Sequence, residues 1–239
     1  MIMTMAAKSA VVFFAVVCIC SVLYGEACLL IDEEGANFRL MDNGVLVPYT
    51  ASNTEGAVNP LQIMNRVLIA DFNNPFDRAL YNDHTLGCWT INPSDITQGS
   101  RYSFDAEDVK DYGFGSCIKV RYDVDCKGEA ENGFWIKTNK IHISNCDYLS
   151  FWARGSSRFG FTTYFRVGIR NDIGDKFEYE IEAISAEWQN YLIDLKDVKT
   201  MNQWSTINEI YFSFDSESIT RKKGAVFFDH FEYLTVSRL

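Results

Sequence analysis

From residue 66 onward the chain alternates apolar and polar positions in short runs broken by turn residues. Runs at 66–72, 100–104, 117–124, 133–138, 148–154, 161–170, 176–183, 188–195, 204–215 and 224–233 each place one apolar face against one polar face, the pattern of a strand with a single buried side. No segment of twelve residues carries a helical stripe, and only 197–206 reads as having room for one helical turn. About ten short strands at regular spacing predict an all-β fold, an antiparallel β-sandwich of jelly-roll type, rather than an α/β fold. Residues 73–115 read as a long polar stretch, interrupted by Leu86-Gly87-Cys88-Trp89 and by the strand at 100–104.

Before residue 66 the alternation fails, because Gly35, Gly44, Pro48, Gly56 and Pro60 break every run. Residues 28–65 are therefore expected to be a spacer, with a short hairpin through Phe38-Arg39-Leu40-Met41 and Val45-Leu46-Val47, and 66–237 to be the folded domain. At the start, Lys8, an apolar run over 10–23 and the small residues Gly25 and Ala27 have the form of a secretory signal over 1–27. The apolar run is too short to span a bilayer, which takes about 20 residues, so no membrane insertion is expected after processing. Cleavage after Ala27 makes Cys28 the first residue, and a lipid anchor on Cys28 is the alternative to plain export. Of seven cysteines, Cys18 and Cys20 leave with the signal. The remaining odd number, Cys28, Cys88, Cys117, Cys126 and Cys146, fits no zinc spacing and leaves at least one thiol unpaired.

Composition narrows the partners. The chain's 18 Phe, 12 Tyr and 5 Trp supply a core of large rings. Its formal net charge of −10, unchanged by loss of Lys8 and Glu26, argues against nucleic acid or anionic membrane. Arg221-Lys222-Lys223 is the one tight basic run and reads as a solvated hairpin loop. No nucleophile elbow is present, and His84, His142 and His230 have no metal-ligand spacing. Acidic residues are too numerous for any pair to stand out as a glycosidase couple.

Alternation also sorts the aromatic rings. Trp152, with Ser150 and Arg154, opposes Leu149, Phe151 and Ala153. In the same way Trp135 opposes Phe134 and Ile136, Arg121 and Asp123 oppose Val120 and Tyr122, Tyr164 and Arg166 oppose Phe165 and Val167, and Tyr211 opposes Phe212 and Phe214. The expected result is an outer sheet face of rings interleaved with Arg and Asp. Such a face suits sugars, whose C–H surfaces lie on aromatic rings while their hydroxyls pair with fixed polar groups. Packing beneath the spacer or the long loops is the alternative use of the same rings, and Trp188 and Trp204, at strand entries, read as structural.

The order of motifs resembles the carbohydrate-binding modules of the galactose-binding-like jelly-roll class, in particular bacterial modules related to those that bind mixed-linkage β-glucans. It is carried by Asp71-Phe72, Leu86-Gly87-Cys88-Trp89, 149–155, 188–195, 204–209 and 224–233, so it covers roughly 67–236. Cys88 stands where that group has a second glycine, and His230 where its closing strand has a second aspartate. The resemblance implies non-catalytic binding of a polysaccharide or glycan by an exported, periplasmic, cell-surface or secreted protein. Trp135, Trp152, Tyr211 and Tyr164 would meet the sugar, with Arg121, Asp123 and Arg166 as polar contacts. It also implies a structural Ca²⁺ held by Asp71 and Asp229 where the first and last strands pair, the hard-oxygen chemistry calcium favours; two solvated strand-end acids are the alternative. A structural or protein-interaction sandwich of the cell envelope, as in proteins similar to assembly factors of respiratory complex I, is the second functional expectation.

Overall fold

The computed structural model describes residues 28–30, 37–40, 45–49, 61–72, 86–91, 98–105 and 116–238. Among these the strands are β1 (Cys28–Leu30), β2 (Asn37–Leu40), β3 (Val45–Tyr49), β4 (Leu61–Ala70), β5 (Leu86–Thr90), β6 (Gly99–Asp105), β7 (Cys117–Asp123), β8 (Glu131–His142), β9 (Tyr148–Gly155), β10 (Phe165–Asn171), β11 (Lys176–Ile181), β12 (Gln189–Asp194), β13 (Thr206–Asp215) and β14 (Lys223–Arg238). They form two sheets. The larger runs β1-β12-β9-β14-β4-β3-β2, with β7 also paired to β14 and β6 to β7; the smaller runs β11-β10-β13-β8-β5. All pairs are antiparallel except β1 with β12.

The two sheets face each other across a core of rings. Phe151, Phe228 and Phe231 from the larger sheet meet Phe134, Phe165 and Phe212 from the smaller, all fully buried. Phe212 is the hub: its ring centroid lies 4.4 Å from Phe228, 5.5 Å from Phe151, 5.6 Å from Phe231 and 5.9 Å from Phe165. Edge-on and tilted contacts dominate, as the ring quadrupole prefers.

Two strands change phase midway. In β14, Val226 and Phe228 face the core and so do Phe231 and Tyr233, a spacing of three where plain alternation gives two. The register shifts between Asp229 and Glu232, and His230 takes a left-handed φ of 48°, so an extra residue is absorbed as a bulge. β13 does the same between Ile207 and Glu209, which returns Ile210, Phe212 and Phe214 to the core. Without these bulges the apolar halves of each strand would point to opposite faces.

The strand runs read from the alternation are all present, and a single 3₁₀ turn at Val198–Thr200 occupies the expected helical turn. β5 is an addition, since its five residues lie in the stretch read as polar. The hairpin expected in the spacer is β2–β3, paired Arg39↔Val47. The spacer residues thus contribute strands to the larger sheet, through β1 on β12 and β3 on β4. Cys88, Cys117, Cys126 and Cys146 are free thiols, and burial pushes Cys88 up to about 11 and Cys117 up to about 12, as inert packing groups rather than nucleophiles.

Candidate functional site on the smaller sheet

The registers of the smaller sheet arrange its outward residues in cross-strand rows. One row reads Lys176, Arg170, Glu209, Lys137; the next Glu178, Gly168, Tyr211, Trp135, Gly87; the third Glu180, Arg166, Ser213, Gly133, Trp89. A fourth begins with Asp215 opposite Glu131, beside Ile91, whose N–H donates to the Glu131 carbonyl at 2.8 Å.

Each ring in these rows has a glycine as cross-strand neighbour and lies down on it. A Cβ on Gly87 would fall within the Trp135 ring, one on Gly168 within the Tyr211 ring, and one on Gly133 against the Trp89 ring. Removing the side chain from one strand lets the neighbour's ring lie flat on the backbone. Trp89 and Trp135 are half-buried. Tyr211, 3% exposed, stands on the other side of Trp135 from Trp89 and forms floor beside it.

Charges on this face come in matched sets. Glu209 accepts from Arg170 at 2.9 Å and from Lys137, whose Nζ also lies 5.3 Å from the Trp135 ring centre. Glu178 accepts from Lys176 at 2.8 Å and from the Tyr211 hydroxyl at 2.5 Å. Arg166 donates to Asp215 at 2.6 Å, and the Ser213 hydroxyl to Glu131. Burial works to raise the Glu178 carboxyl, but the donors Lys176 and Tyr211 outweigh it and hold it below the usual carboxylate range. The balance at Asp215 is similar: burial is overcome by donors from Ser218, Arg166 and Glu217, leaving it at about 2. These acids are fixed acceptors, with no proton to give at neutral pH.

Between the rows lies an open cleft of about 330 Å³, with Trp89, Trp135, Tyr211, Arg170, Glu178 and Glu209 among its lining residues. A second hollow of about 260 Å³ shares Ile91 and Glu131 with it and reaches Arg166 and Asp215. Together they run across the sheet.

Of the residues singled out from sequence, Trp135, Tyr211 and Arg166 come together here. Tyr164 stands just before β10, half-buried, its phenol raised to about 12 by burial and by the Glu180 carboxylate. Trp152, Arg121 and Asp123 do not join them. They sit on β9 and β7 of the larger sheet, so the single ring-bearing face expected from alternation is two faces on opposite sides of the sandwich. Alternation distinguishes in from out but cannot say which sheet a strand joins. Trp152 is 4% exposed, opposite Asn190 and Asp229, and Asp123 is occupied by Lys223 at 3.3 Å. Trp89, Arg170, Glu178 and Glu209 were not singled out, although Gly87 and Trp89 on one side and Gly133 and Trp135 on the other carried the signal of rings alternating with glycines. Trp188 and Trp204 are packing rings, near Phe227 and against the core respectively.

Asp71 and Asp229 meet at the place where β14 exchanges one neighbour for another, leaving β7 after Phe228 and taking up β4 at Phe231. The residues that follow them, Phe72 and His230, both have positive φ, 54° and 48°. Burial pushes the Asp229 carboxyl up to about 8, the Asp71 charge adding to the rise while the His230 N–H, donating at 2.7 Å, works against it. Two carboxylates in mutual repulsion beside bulged backbone are hard oxygen donors that fit a divalent cation. Among the described residues no group of three acidic, His or Cys side chains converges there, so further ligands would come from backbone carbonyls or water. The His230 ring reaches instead to Glu232 at 3.6 Å.

No protein-family model matches this chain, and no curated protein matches its sequence. Solved structures do match its fold. A family 11 carbohydrate-binding module from Clostridium thermocellum, solved in complex with a β-1,3-1,4-mixed-linked tetrasaccharide, aligns over 75% of this chain and 98% of its own, with a TM-score of 0.50 and 16% identity. An exo-β-agarase aligns over 72% of this chain and 25% of its own, with a TM-score of 0.50 and 14% identity. The likeness establishes the fold as the jelly-roll sandwich read from the alternation.

Proposed function

We propose that this chain binds polysaccharide without turning it over, in the cleft on the outer face of the smaller sheet. The observation that carries this reading is the pair Trp89 and Trp135, laid flat on glycines of neighbouring strands. Flat, half-buried rings offer the faces on which sugar C–H surfaces stack, and the carboxylates and guanidinium groups around them are already held in place for hydroxyls. The solved module that shares this fold was captured with a mixed-linkage β-glucan fragment, which makes a β-glucan the first glycan to try. Glu178 in the cleft and Asp215 in the hollow beside it are held ionised, whereas glycoside hydrolysis needs one carboxyl kept protonated.

A purely structural role for the rings would call for the spacer to cover them. The described strands of 28–49 add to the larger sheet instead, and the cleft is open. Export, read from residues 1–27, fits an extracellular glycan ligand. No helix among the described residues is long and apolar enough to cross a membrane.

Native affinity electrophoresis through gels containing soluble β-glucan, xylan or mannan tests the reading. Retardation by at least one neutral polysaccharide is the expected result, and equal mobility in all of them would overturn it.

Calcium belongs to the same proposal. Asp71 and Asp229 would hold it, and the ion would supply positive charge to a buried carboxylate, stabilising the folded state alone. Calcium at 100 times its dissociation constant adds about 2.7 kcal/mol by linkage, which for a domain of this size raises the melting temperature by roughly 5–10 °C. Chelator should reverse the shift, and Asp229→Asn should remove most of it. A melting curve indifferent to both calcium and chelator would make the two aspartates ordinary buried and half-buried acids.

A further inference from the structure

On the face that glycan binding does not use, the arginines behave differently. Four arginines elsewhere have acids: Arg66 pairs with Glu232, Arg166 with Asp215 and Arg170 with Glu209, and Arg154 feels Glu187. Arg101, Arg121, Arg158 and Arg221 have no ion pair among the described residues, and they occupy one corner. Arg101 on β6 is directly opposite Arg121 on β7. Arg121 and Arg158 both lie on the Phe159 ring, at 4.1 and 5.2 Å from its centre. Arg221, from the basic run before β14, lies over Gly160, whose positive φ of 72° turns the chain just after that ring.

All four arginines are exposed. Like charges directly opposite in a sheet repel, and a chain with a net charge of −10 has acids to spare. Among the described residues, Asp123 and Asp125 are committed to Lys223 and Asp105 to Lys119. The Phe159 ring beneath Arg121 and Arg158 offsets part of the repulsion through cation–π contact.

From this convergence we infer a second binding surface, centred on Phe159 and directed at an anionic polysaccharide, one that carries sulfate or uronate groups. Guanidinium forks match sulfate and carboxylate oxygens two at a time, and the ring between them offers apolar contact to a sugar. Even with Lys222 beside Arg221, the unpaired cations are few for a nucleic acid, whose binding rests on many phosphate contacts and weakens steeply with salt. The surface lies on the other sheet from the neutral-sugar cleft. Where the cleft's charges are internally matched, these are not, so the two faces should select different polymers.

The test uses the full chain in gels containing a sulfated galactan, a polygalacturonate or a neutral β-glucan, at ~0.15 M salt. The expected result is retardation by at least one anionic polymer, reduced about tenfold in apparent affinity by Arg121→Gln with Arg158→Gln, each removing a charge-assisted contact. Retardation by neutral β-glucan should be unchanged in that double variant and lost in Trp135→Ala, which should still be held by the anionic polymer. Arg101→Gln with Arg221→Gln, both exposed positions, repeats the test if the first pair unfolds. No retardation by either anionic polymer, or undiminished retardation of folded variants, overturns the inference whatever the β-glucan lane shows. Equal retardation by polyadenylate RNA would overturn the assignment to glycans and leave a general polyanion surface.

Discussion

Phe212→Ala is expected to destabilise the fold by about 3–5 kcal/mol, the range for truncating a buried Phe. Native domains are stable by only about 5–15 kcal/mol, so this one change removes a large share. Phe212 is fully buried, and its ring touches rings from both sheets: Phe165 beside it in the smaller sheet, Phe151, Phe228 and Phe231 across the core. Its neighbours are held by their own strands and cannot collapse into the space, so a cavity term adds to the lost transfer energy. Urea denaturation should show a lower midpoint with an unchanged slope. A loss below ~1 kcal/mol, the level of a surface change, would mean that the two sheets do not meet at this ring.

Much of this core could be read from the alternation, since the residues assigned to the inner face of β8, β9, β10 and β13 all join the core cluster, although Ser150, Trp152 and Tyr211 on the outer side are buried as well. What alternation does not carry is sheet membership, and so Trp152 and Arg121 were grouped with Trp135 and Tyr211 although the sandwich separates them. Pairing is set by contacts between strands distant in sequence, such as β8 with β13, and no local pattern encodes those. The bulge in β14 was visible as a lapse in the period, Phe228 and Phe231 three apart, but a lapse reads equally as a strand end. Trp89 was obscured by its surroundings: a five-residue strand within a polar stretch gives too few alternations to be recognised.

The glycines tie the fold to the site. Tyr211 stands directly opposite Trp135, and each ring leans outward over a glycine on the strand beyond it, Gly168 for one and Gly87 for the other. The core side of the same strands, Phe134 and Phe212, is fully buried. Packing on the inner face therefore holds the backbone on which the outer rings rest. A variant of an inner ring should disturb the cleft only as far as it loosens the sheet, whereas the glycines act on the cleft alone.

That distinction yields the second large effect. Trp135→Ala should weaken binding of the retained neutral polysaccharide about 30-fold, the ~2 kcal/mol of an aromatic anchor at the centre of an interface. Gly87→Val should do nearly as much with the tryptophan still present. Valine suits a strand, and β5 is the edge of its sheet, so the backbone should tolerate the change. The valine Cβ occupies the space of the Trp135 ring, so the indole must lift from the sheet into the cleft of about 330 Å³ that the sugar would fill. Melting temperatures should stay close to the parent's while gel retardation by β-glucan disappears, a separation that a merely structural role for either residue would not produce. Full retention by Gly87→Val would show that the flat pose of Trp135 is not what the sugar meets. Loss in Gly87→Val together with retention in Trp135→Ala would move the contact to Trp89, the other half-buried ring of the cleft.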